Sequence, residues 1–268
     1  MARFSGERPG RGPGYDYDDS RHQVAYRAVA ELVRDKVVVD AGSGDGAGTA
    51  VLAATAAHVT GLDHHRPSVV AASAAHGGTS VDFLRADLAS PWPVEGADVV
   101  IAFQIIEHFV DDHAFVANAL AALAPGGLVV ITTPNVRTSF SENPWHVREY
   151  RADELGVLLA AHSDDVEIRG VYGNERVAEF DRRRRAEVDK WLRLDPWRLR
   201  DRLPRRVVEL AFATLSTVVR RSAAGRSRDG GSSAGVAGAG PITGDDFEVR
   251  AGDLDACLDF FAVVRRTR

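Results

Sequence analysis

From about residue 20 onwards, the chain alternates between short apolar runs and longer segments with helical periodicity. Apolar runs of about four to eight residues bounded by Gly, Asp or Pro are typical of buried strands. Segments with apolar residues three and four positions apart are typical of helices. The alternation therefore predicts an α/β fold, in which a largely parallel sheet is covered by helices on both faces.

Seven strands and five intervening helices follow from this pattern. The predicted strands are 37–39, 58–63, 81–85, 97–103, 127–132, 166–172 and 260–264. The predicted helices are 22–36, 48–57, 67–75, 112–123 and 152–161.

About 80 residues before the last strand are not required by this alternation. They contain predicted helices at 177–194 and 205–220, which Pro196 and Pro204 separate, and a Gly/Ser/Ala-rich segment at 222–244 that we expect to be a mobile loop. We therefore predict three parts. Residues 1–19 form a flexible tail, residues 20–174 and 245–268 form the main domain, and residues 175–244 form a helical insertion or lid.

The composition is that of an ordinary globular protein, with 45% hydrophobic and 26% charged residues, which excludes a disordered chain and a disulfide scaffold. A single cysteine, Cys257, can form no internal disulfide and no zinc cluster, so we expect a reducing cytoplasm. No apolar run is long enough to predict a transmembrane helix. The oligomeric state stays open.

Charge is uneven along the chain, because residues 181–230 hold 15 basic and 7 acidic residues although the net charge is −5. This basic segment, with Trp191 and Trp197, is interpreted as a solvated face, a lid over an acceptor site, or a patch for a membrane surface or nucleic acid. The acidic remainder of the chain opposes nucleic acid as a partner.

The segment from Val37 to Gly48, VVVDAGSGDGAG, places a Gly-rich turn between a strand and a helix. Such a turn lets a ligand approach the backbone, and its spacing also fits a dinucleotide fingerprint loosely. Asp40 and Asp45 would repel a pyrophosphate and attract a ligand that carries an ammonium and a sulfonium. Asp63, at the end of the next strand, can accept hydrogen bonds from both hydroxyls of a ribose. Asp87 and Leu88, after the third strand, are placed to hold an adenine.

These segments resemble the class I S-adenosylmethionine-dependent methyltransferases. The resemblance rests on VVVDAGSGDG, VTGLD, RADL, ADVVIAF and LAPGGLVVITTPN, and covers about residues 20–172 and the last strand. It implies a Rossmann-like sheet of seven strands with an antiparallel last strand, and S-adenosylmethionine as the cofactor. The cofactor-binding residues that we expect are Asp40, Gly42, Ser43, Gly44, Gly46, Asp63, His64, Asp87, Leu88, Phe103 and Gln104. His22 and Tyr26 are expected either to close over the amino-acid end of the cofactor or to serve only in packing.

FQIIEHFVD, followed by TPN and NPWHVREY, is similar to a bacterial branch that methylates hydroxyls of quinone precursors and saccharides. Some members of that branch bind a divalent cation at this place, so Glu107 and His108, with Asp111 nearby, are candidate ligands for Mg²⁺. The alternative is that Glu107 and His108 only shape the acceptor pocket. His146, together with the Glu107–His108 pair, is predicted to deprotonate and orient the acceptor hydroxyl, because histidine titrates near neutral pH and can receive the proton of a hydroxyl. The alternative for His146 is a structural or surface residue.

The sequence thus predicts a methyltransferase that O-methylates a small acceptor, with a saccharide, of the kind that methylmannoside enzymes use, as the leading hypothesis. A quinone, polyketide or lipid-like acceptor is the first alternative, which an apolar helix at 207–219 would favour. A cofactor-binding module without catalysis, docking through the basic insertion, is the second.

Overall fold

The computed structural model describes residues 16–139, 145–192 and 241–266, and its strands and helices alternate as the hydrophobic pattern predicts. The strands are β1 (Val37–Ala41), β2 (His58–Asp63), β3 (Val81–Arg85), β4 (Ala97–Phe103), β5 (Leu123–Pro134), β6 (Val166–Gly173), β7 (Phe247–Arg250) and β8 (Asp259–Arg265). The helices are α1 (Asp16–Ala28), α2 (Ala47–Ala53), α3 (Arg66–His76), α4 (Asp112–Ala121), α5 (Ala152–Ala160) and α6 (Glu175–Leu192). Short 3-10 helices lie at Ile106–His108 and Gly244–Asp246.

The strands form one mixed sheet in the order β3-β2-β1-β4-β5-β8-β6-β7. β1 to β5 run parallel, and β8 is antiparallel to both β5 and β6, as predicted for the last strand. The predicted count of seven strands was wrong, since the described part of the sheet has eight. The missed strand, β7, has four residues of which one is buried, so it carries almost no hydrophobic signal.

β2 and β3 lie on one side of β1 in the sheet, whereas β4 pairs with β1 on its other side. The strand order therefore reverses between β1 and β4. Their residues are buried on both faces of the sheet, and apolar clusters fill the space on either side. Ligands of open α/β sheets bind beyond the carboxyl ends of the strands at such a reversal. This is where the Gly-rich turn after β1 lies.

Several helix boundaries differ from the prediction. α1 runs from Asp16 to Ala28 rather than over 22–36, so it includes four residues assigned to the tail. Val29 and Val33 are buried and spaced like helix residues, but they belong to a turn that ends at Asp35, which has a φ of 56°. α2 ends at Ala53, four residues before the predicted end.

The described residues fall into two compact units, of which the main one holds His22–Ser139, His146–Tyr172 and residues 249–266. The other unit contains α6, where the prediction placed a helix at 177–194. In that unit, the Tyr17 hydroxyl donates to Asp181 at 2.9 Å, and the Tyr17 ring stacks on Phe180. None of the described helices is both long and apolar enough to cross a membrane.

Several predictions lie outside the described residues: the tail up to residue 15, the helix at 205–220, Pro196, Pro204, Trp197 and most of the loop at 222–244. The division into a main domain and an inserted lid therefore remains a prediction.

Candidate functional site

The Gly-rich turn after β1 folds back onto the end of β2. The amides of Gly42 and Ser43 both donate to the carbonyl of Leu62, at 2.8 and 3.0 Å. Gly42, Gly44 and Gly46 have φ values of 86°, 56° and 84°, a region that favours glycine, which explains their spacing. A Cβ at Gly44 would meet nothing closer than 4.0 Å, so a ligand can approach the backbone there.

The Asp63 carboxylate is fixed by two main-chain amides. One oxygen accepts from Gly44 N at 3.0 Å, and the other accepts from His65 N at 2.7 Å. A carboxylate offers about four acceptor positions, so two remain for ligand hydroxyls. The neighbouring His64 is 79% exposed and lies 3.7 Å from Asp63.

Asp40 is buried under the turn and accepts from Thr49 Oγ1 at 2.6 Å and from the Tyr26 hydroxyl at 3.4 Å. Burial raises the pKa of Asp40 to about 6, although both hydrogen bonds oppose the shift. Tyr26 also packs edge-on against Phe103 at the end of β4, with ring centroids 4.9 Å apart. His22 lies one turn before Tyr26 on α1 and is half-buried.

Ser43 is buried, and its Oγ is one of two buried side-chain atoms without a hydrogen-bond partner in the described part of the chain. A polar atom shielded from water costs free energy unless a partner reaches it. Together with the open backbone at Gly44, this fits a ligand that carries polar groups into the turn.

The residues after β3 and β4 are placed differently from one another. Asp87 is exposed and its carboxylate accepts from Ala89 N at 3.1 Å, whereas Leu88 is buried in the core. Gln104 follows β4 with a φ of 52°, which is uncommon for a residue with a Cβ. The main-chain amide of Gln104 donates to the carbonyl of Thr132 at 2.9 Å. Strained backbone of this kind clusters at functional sites, which supports a ligand role for Gln104.

A second cluster lies beside the turn, at the carboxyl ends of β4 and β5. Glu107 and His108 belong to the 3-10 helix there, and their ligand atoms and those of His146 all lie within 4.8 Å of one another. Ile105, directly before this helix, packs against Gly42, where an added Cβ would lie 3.0 Å from its side chain. The structure thus brings the predicted catalytic residues together next to the predicted cofactor turn.

Glu107 is 1% exposed, and its Oε2 accepts from Thr133 Oγ1 at 3.0 Å. Burial raises the pKa of Glu107, and the nearby rings of His108 and His146 act against that shift. These rings lie edge to face, with centroids 5.1 Å apart. Asp111, which we expected near this cluster, instead caps α4 through Ala114 N at 2.8 Å.

Two polar residues of this site were missed by sequence reasoning. Glu149 Oε1 lies within hydrogen-bond distance of His146 Nδ1, at 2.7 Å. Ser139 Oγ donates to the same oxygen at 3.2 Å. The spacing of His146 and Glu149 within NPWHVREY was the only available signal, and it does not reveal a contact in an irregular segment.

The donor atoms of Glu107, His108 and His146 determine which cation this group could bind. Mg²⁺ prefers oxygen ligands in octahedral geometry, whereas two imidazoles and one carboxylate are typical of transition metals. The residues present therefore do not fit Mg²⁺.

Comparison with known proteins agrees with this geometry. A family model described as a methyltransferase domain matches residues 39–131. A relative from Mycolicibacterium smegmatis named "Probable S-adenosylmethionine-dependent methyltransferase" is 36% identical over 190 residues, which cover 66% of this chain and 73% of that protein. A relative of the same description from Mycobacterium tuberculosis is 35% identical over 171 residues, and the chain spans 61% of its length. A ubiquinone biosynthesis O-methyltransferase from Methylobacterium nodulans is 40% identical over 37% of this chain and 41% of its own.

Solved structures share the fold. The [4+2]-cyclase SpnF has a TM-score of 0.55 and 19% identity, covering 98% of this chain and 86% of its own. The N-methyltransferase NodS from Bradyrhizobium japonicum, in complex with S-adenosyl-L-homocysteine, has a TM-score of 0.51 and 19% identity, covering 62% of this chain and 84% of its own. At this identity the likeness establishes a Rossmann-like α/β architecture.

Proposed function

This chain belongs to the S-adenosylmethionine-dependent methyltransferases and is a methyltransferase, and we propose that it transfers the methyl group to a hydroxyl of a small acceptor. The observation that carries the proposal is the position of the Glu107, His108 and His146 cluster directly beside the Gly-rich turn. One half of the site suits the cofactor, and the other suits proton transfer from an acceptor. The alternative of a non-catalytic module is set aside by the family.

The residues of the turn fit S-adenosylmethionine by charge and shape. Asp63 offers acceptor positions for the ribose hydroxyls, and Ser43 Oγ and the backbone near Gly44 offer polar contacts. Asp40 keeps negative charge near the turn at neutral pH, because its pKa of about 6 is below 7. Isothermal calorimetry should show binding of S-adenosylmethionine and S-adenosylhomocysteine and no binding of NADH. Binding of NADH without binding of either sulfur nucleoside would contradict the proposal that the turn binds S-adenosylmethionine.

The cofactor supplies an electrophilic methyl group on a sulfonium, so the protein must orient the acceptor hydroxyl and take its proton. His146 is the proposed general base, and Glu107 and His108 are proposed to orient the acceptor. Replacing a general base costs roughly 10²–10⁴-fold in rate. We expect His146→Ala to lose turnover by that factor while its cofactor affinity stays within about twofold, because His146 lies outside the turn.

We propose no step through Mg²⁺, since the donor set does not fit it. Because His146 is the proposed base and the proposed mechanism uses no metal, turnover of the purified enzyme should be unchanged after dialysis against EDTA. If dialysis against EDTA abolishes turnover and added Mg²⁺ restores it, Glu107 and His108 would again be candidate Mg²⁺ ligands. Restoration by Mn²⁺, Zn²⁺ or Fe²⁺ alone would make His146 a ligand instead of a base.

We propose a saccharide as the acceptor, in a cytoplasmic location. The carboxylate of Glu107 and the imidazoles of His108 and His146 offer several hydrogen-bonding positions, which suits a polyhydroxylated molecule. A quinone precursor remains the second candidate, because ubiquinone biosynthesis O-methyltransferases are among the relatives.

A mass-spectrometric screen with a methyl-labelled cofactor separates the two acceptors. Fractionated saccharide pools and catechol-type phenols would be offered in parallel. Label in an oligosaccharide fraction supports the saccharide. Label only in the phenol fraction would replace it by the quinone precursor.

A further inference from the structure

We propose that Glu149 is a positioning residue that fixes the tautomer of His146, and that Ser139 holds Glu149 in place. The proposal rests on the proposed function, in which His146 takes the acceptor proton. Neither Glu149 nor Ser139 was singled out by the sequence pattern.

The contact itself determines which ring nitrogen carries the proton. Glu149 Oε1 lies 2.7 Å from His146 Nδ1. An ionised carboxylate only accepts hydrogen bonds, so the imidazole must present an N–H at Nδ1. In the neutral ring the lone pair then belongs to Nε2, which is the nitrogen that can act as the base.

The environment makes this hydrogen bond matter. The side chains of His146 and Glu149 are 16% and 13% exposed, so water competes weakly for either partner. Ser139 Oγ donates to the same carboxylate oxygen at 3.2 Å, which limits the positions that Glu149 can adopt. A hydroxyl, a carboxylate and an imidazole thus form a chain that ends at the proposed base.

Contacts other than those of Glu149 also hold the segment. The amides of Val147 and Arg148 donate to the carbonyl of Glu107 at 2.8 and 3.2 Å. Asp112 on α4 accepts from Arg148 at 3.1 Å and from the Tyr150 hydroxyl at 3.0 Å. Because these contacts anchor both sides of Glu149, its own contribution should be the proton arrangement of His146 rather than the path of the chain.

The test is Glu149→Gln, which keeps the shape of the side chain and can present an amide N–H to His146 Nδ1. That contact would favour the wrong tautomer, with the proton on Nε2. We expect turnover to fall by roughly 10²–10⁴-fold, as neutral replacements of orienting carboxylates do in other enzymes. The acceptor KM and the cofactor Kd should stay within about twofold, because Glu149 contacts neither in this proposal.

A spectroscopic readout separates tautomer from structure. In ¹⁵N-histidine-labelled enzyme, the His146 signals are identified by their loss in His146→Ala. The wild type should show a protonated Nδ1 and an unprotonated Nε2, and Glu149→Gln should reverse them at the same pH. Ser139→Ala, a smaller change, should lower turnover by about 3–10-fold with the tautomer kept, since it removes one hydrogen bond to Glu149 and leaves the contact with His146 in place.

Glu154→Gln is the matched control. Glu154 is a nearby glutamate that accepts a hydrogen bond too, from the main-chain amide of Arg151 at 2.9 Å, and no contact with His146 is recorded for it. Turnover and the His146 signals should be unchanged in this variant.

Wild-type turnover in Glu149→Gln, or an unchanged tautomer, would overturn the proposal. If Glu149→Gln does not fold, an Nε2-protonated His146 in wild type would overturn it equally. Wild-type turnover in His146→Ala would instead contradict the proposed function, while the tautomer measurement would still report on Glu149.

Discussion

Asp40 and Asp63 end neighbouring strands, yet their surroundings prepare them for different tasks. Asp40 accepts from the side chains of Thr49 and Tyr26, whereas Asp63 is also buried but accepts from two main-chain amides and keeps acceptor positions to spare. Asp45, in the same turn, is exposed and accepts from Ala47 N at 3.2 Å at the start of α2. Of these three acids, Asp40 is thus a buried hydrogen-bond acceptor, Asp45 accepts from the first amide of α2, and Asp63 is the one proposed to bind the ligand.

Asp63→Ala should weaken S-adenosylhomocysteine binding far more than Asp45→Ala. Charge-assisted hydrogen bonds are worth about 1.5–3 kcal/mol each, so losing those to a ribose should raise Kd at least about 30-fold. Asp45 offers only a distant charge, and its loss should change Kd by less than about fivefold. Calorimetry on both variants, with circular dichroism to verify folding, makes the comparison. Equal losses would assign the ribose to another residue.

The raised pKa of Asp40 predicts that the free energy of unfolding depends on pH. Burial raises its pKa from 3.8 to about 6, so between these values the folded protein keeps a proton that the unfolded chain has lost. Stability due to Asp40 is therefore greatest at low pH and falls as the pH rises through 6. Asp40→Asn cannot ionise and escapes this loss.

Urea unfolding of both proteins at about pH 5 and about pH 7.5 measures the effect. The free energy of unfolding of Asp40→Asn relative to wild type should increase by about 1–2 kcal/mol at the higher pH. A difference that is constant or declines with pH would show that Asp40 is not held in a destabilising ionised state.

At the residue scale, the predictable part of the site was the part built from strand ends. Asp40 and Asp63 lie in the last residues of apolar strands and the glycines follow β1 directly, so the topology fixes their neighbours. Glu149 and Ser139 meet in irregular segments ten residues apart, and their contact depends on bonds to Glu107 and Asp112 that no local pattern shows.

The segment after β5 is the element on which the catalytic proposals depend, and Tyr150 is its main anchor. Its side chain is fully buried, and its hydroxyl donates to Asp112, which also binds Arg148. Tyr150→Phe keeps the packing and removes the hydroxyl. We expect a loss of about 1 kcal/mol in the free energy of unfolding from the hydrogen bond itself.

A loss of turnover should accompany that change, because the same anchor positions His146. The control is Tyr172→Phe, which removes a hydroxyl bonded to the carbonyl of Asp253 at 2.9 Å. This variant should retain wild-type turnover. Urea unfolding and steady-state kinetics on both variants test the pair. Wild-type turnover in Tyr150→Phe would show that Asp112 does not hold the catalytic segment.

Among the elements, long amphipathic or fully apolar segments were predicted well, and three strands were placed to the residue: β2, β3 and β4. The errors arose where packing overrides local pattern. The buried residues Val29 and Val33 have helical spacing although they lie in a turn. β7 is a short strand at the edge of the described sheet, where its neighbour is β6.

For the whole molecule, the arrangement implies that cofactor binding and proton transfer are separable. The proposed cofactor residues lie mainly at the ends of β1 and β2 and in the turns that follow them. The proposed catalytic cluster of Glu107, His108 and His146 lies after β4 and β5. The strand order brings the two together. The alternation of strands and helices predicted the α/β class but not this order. The contribution of residues 193–240, where the sequence predicts a lid, remains a prediction.

Thermal unfolding with and without ligand tests this separation on the intact protein. A ligand that binds only the folded state at about 100 times its Kd adds about 2.7 kcal/mol, which corresponds to a rise in Tm of roughly 5–10 °C for a chain of this size. S-adenosylhomocysteine should produce that rise in the wild type and equally in His146→Ala, whereas NADH should produce none. Asp63→Ala should lose most of the rise at the same ligand concentration. A rise that disappears in His146→Ala would show that the catalytic cluster also holds the cofactor, and the two halves of the site would have to be treated as one.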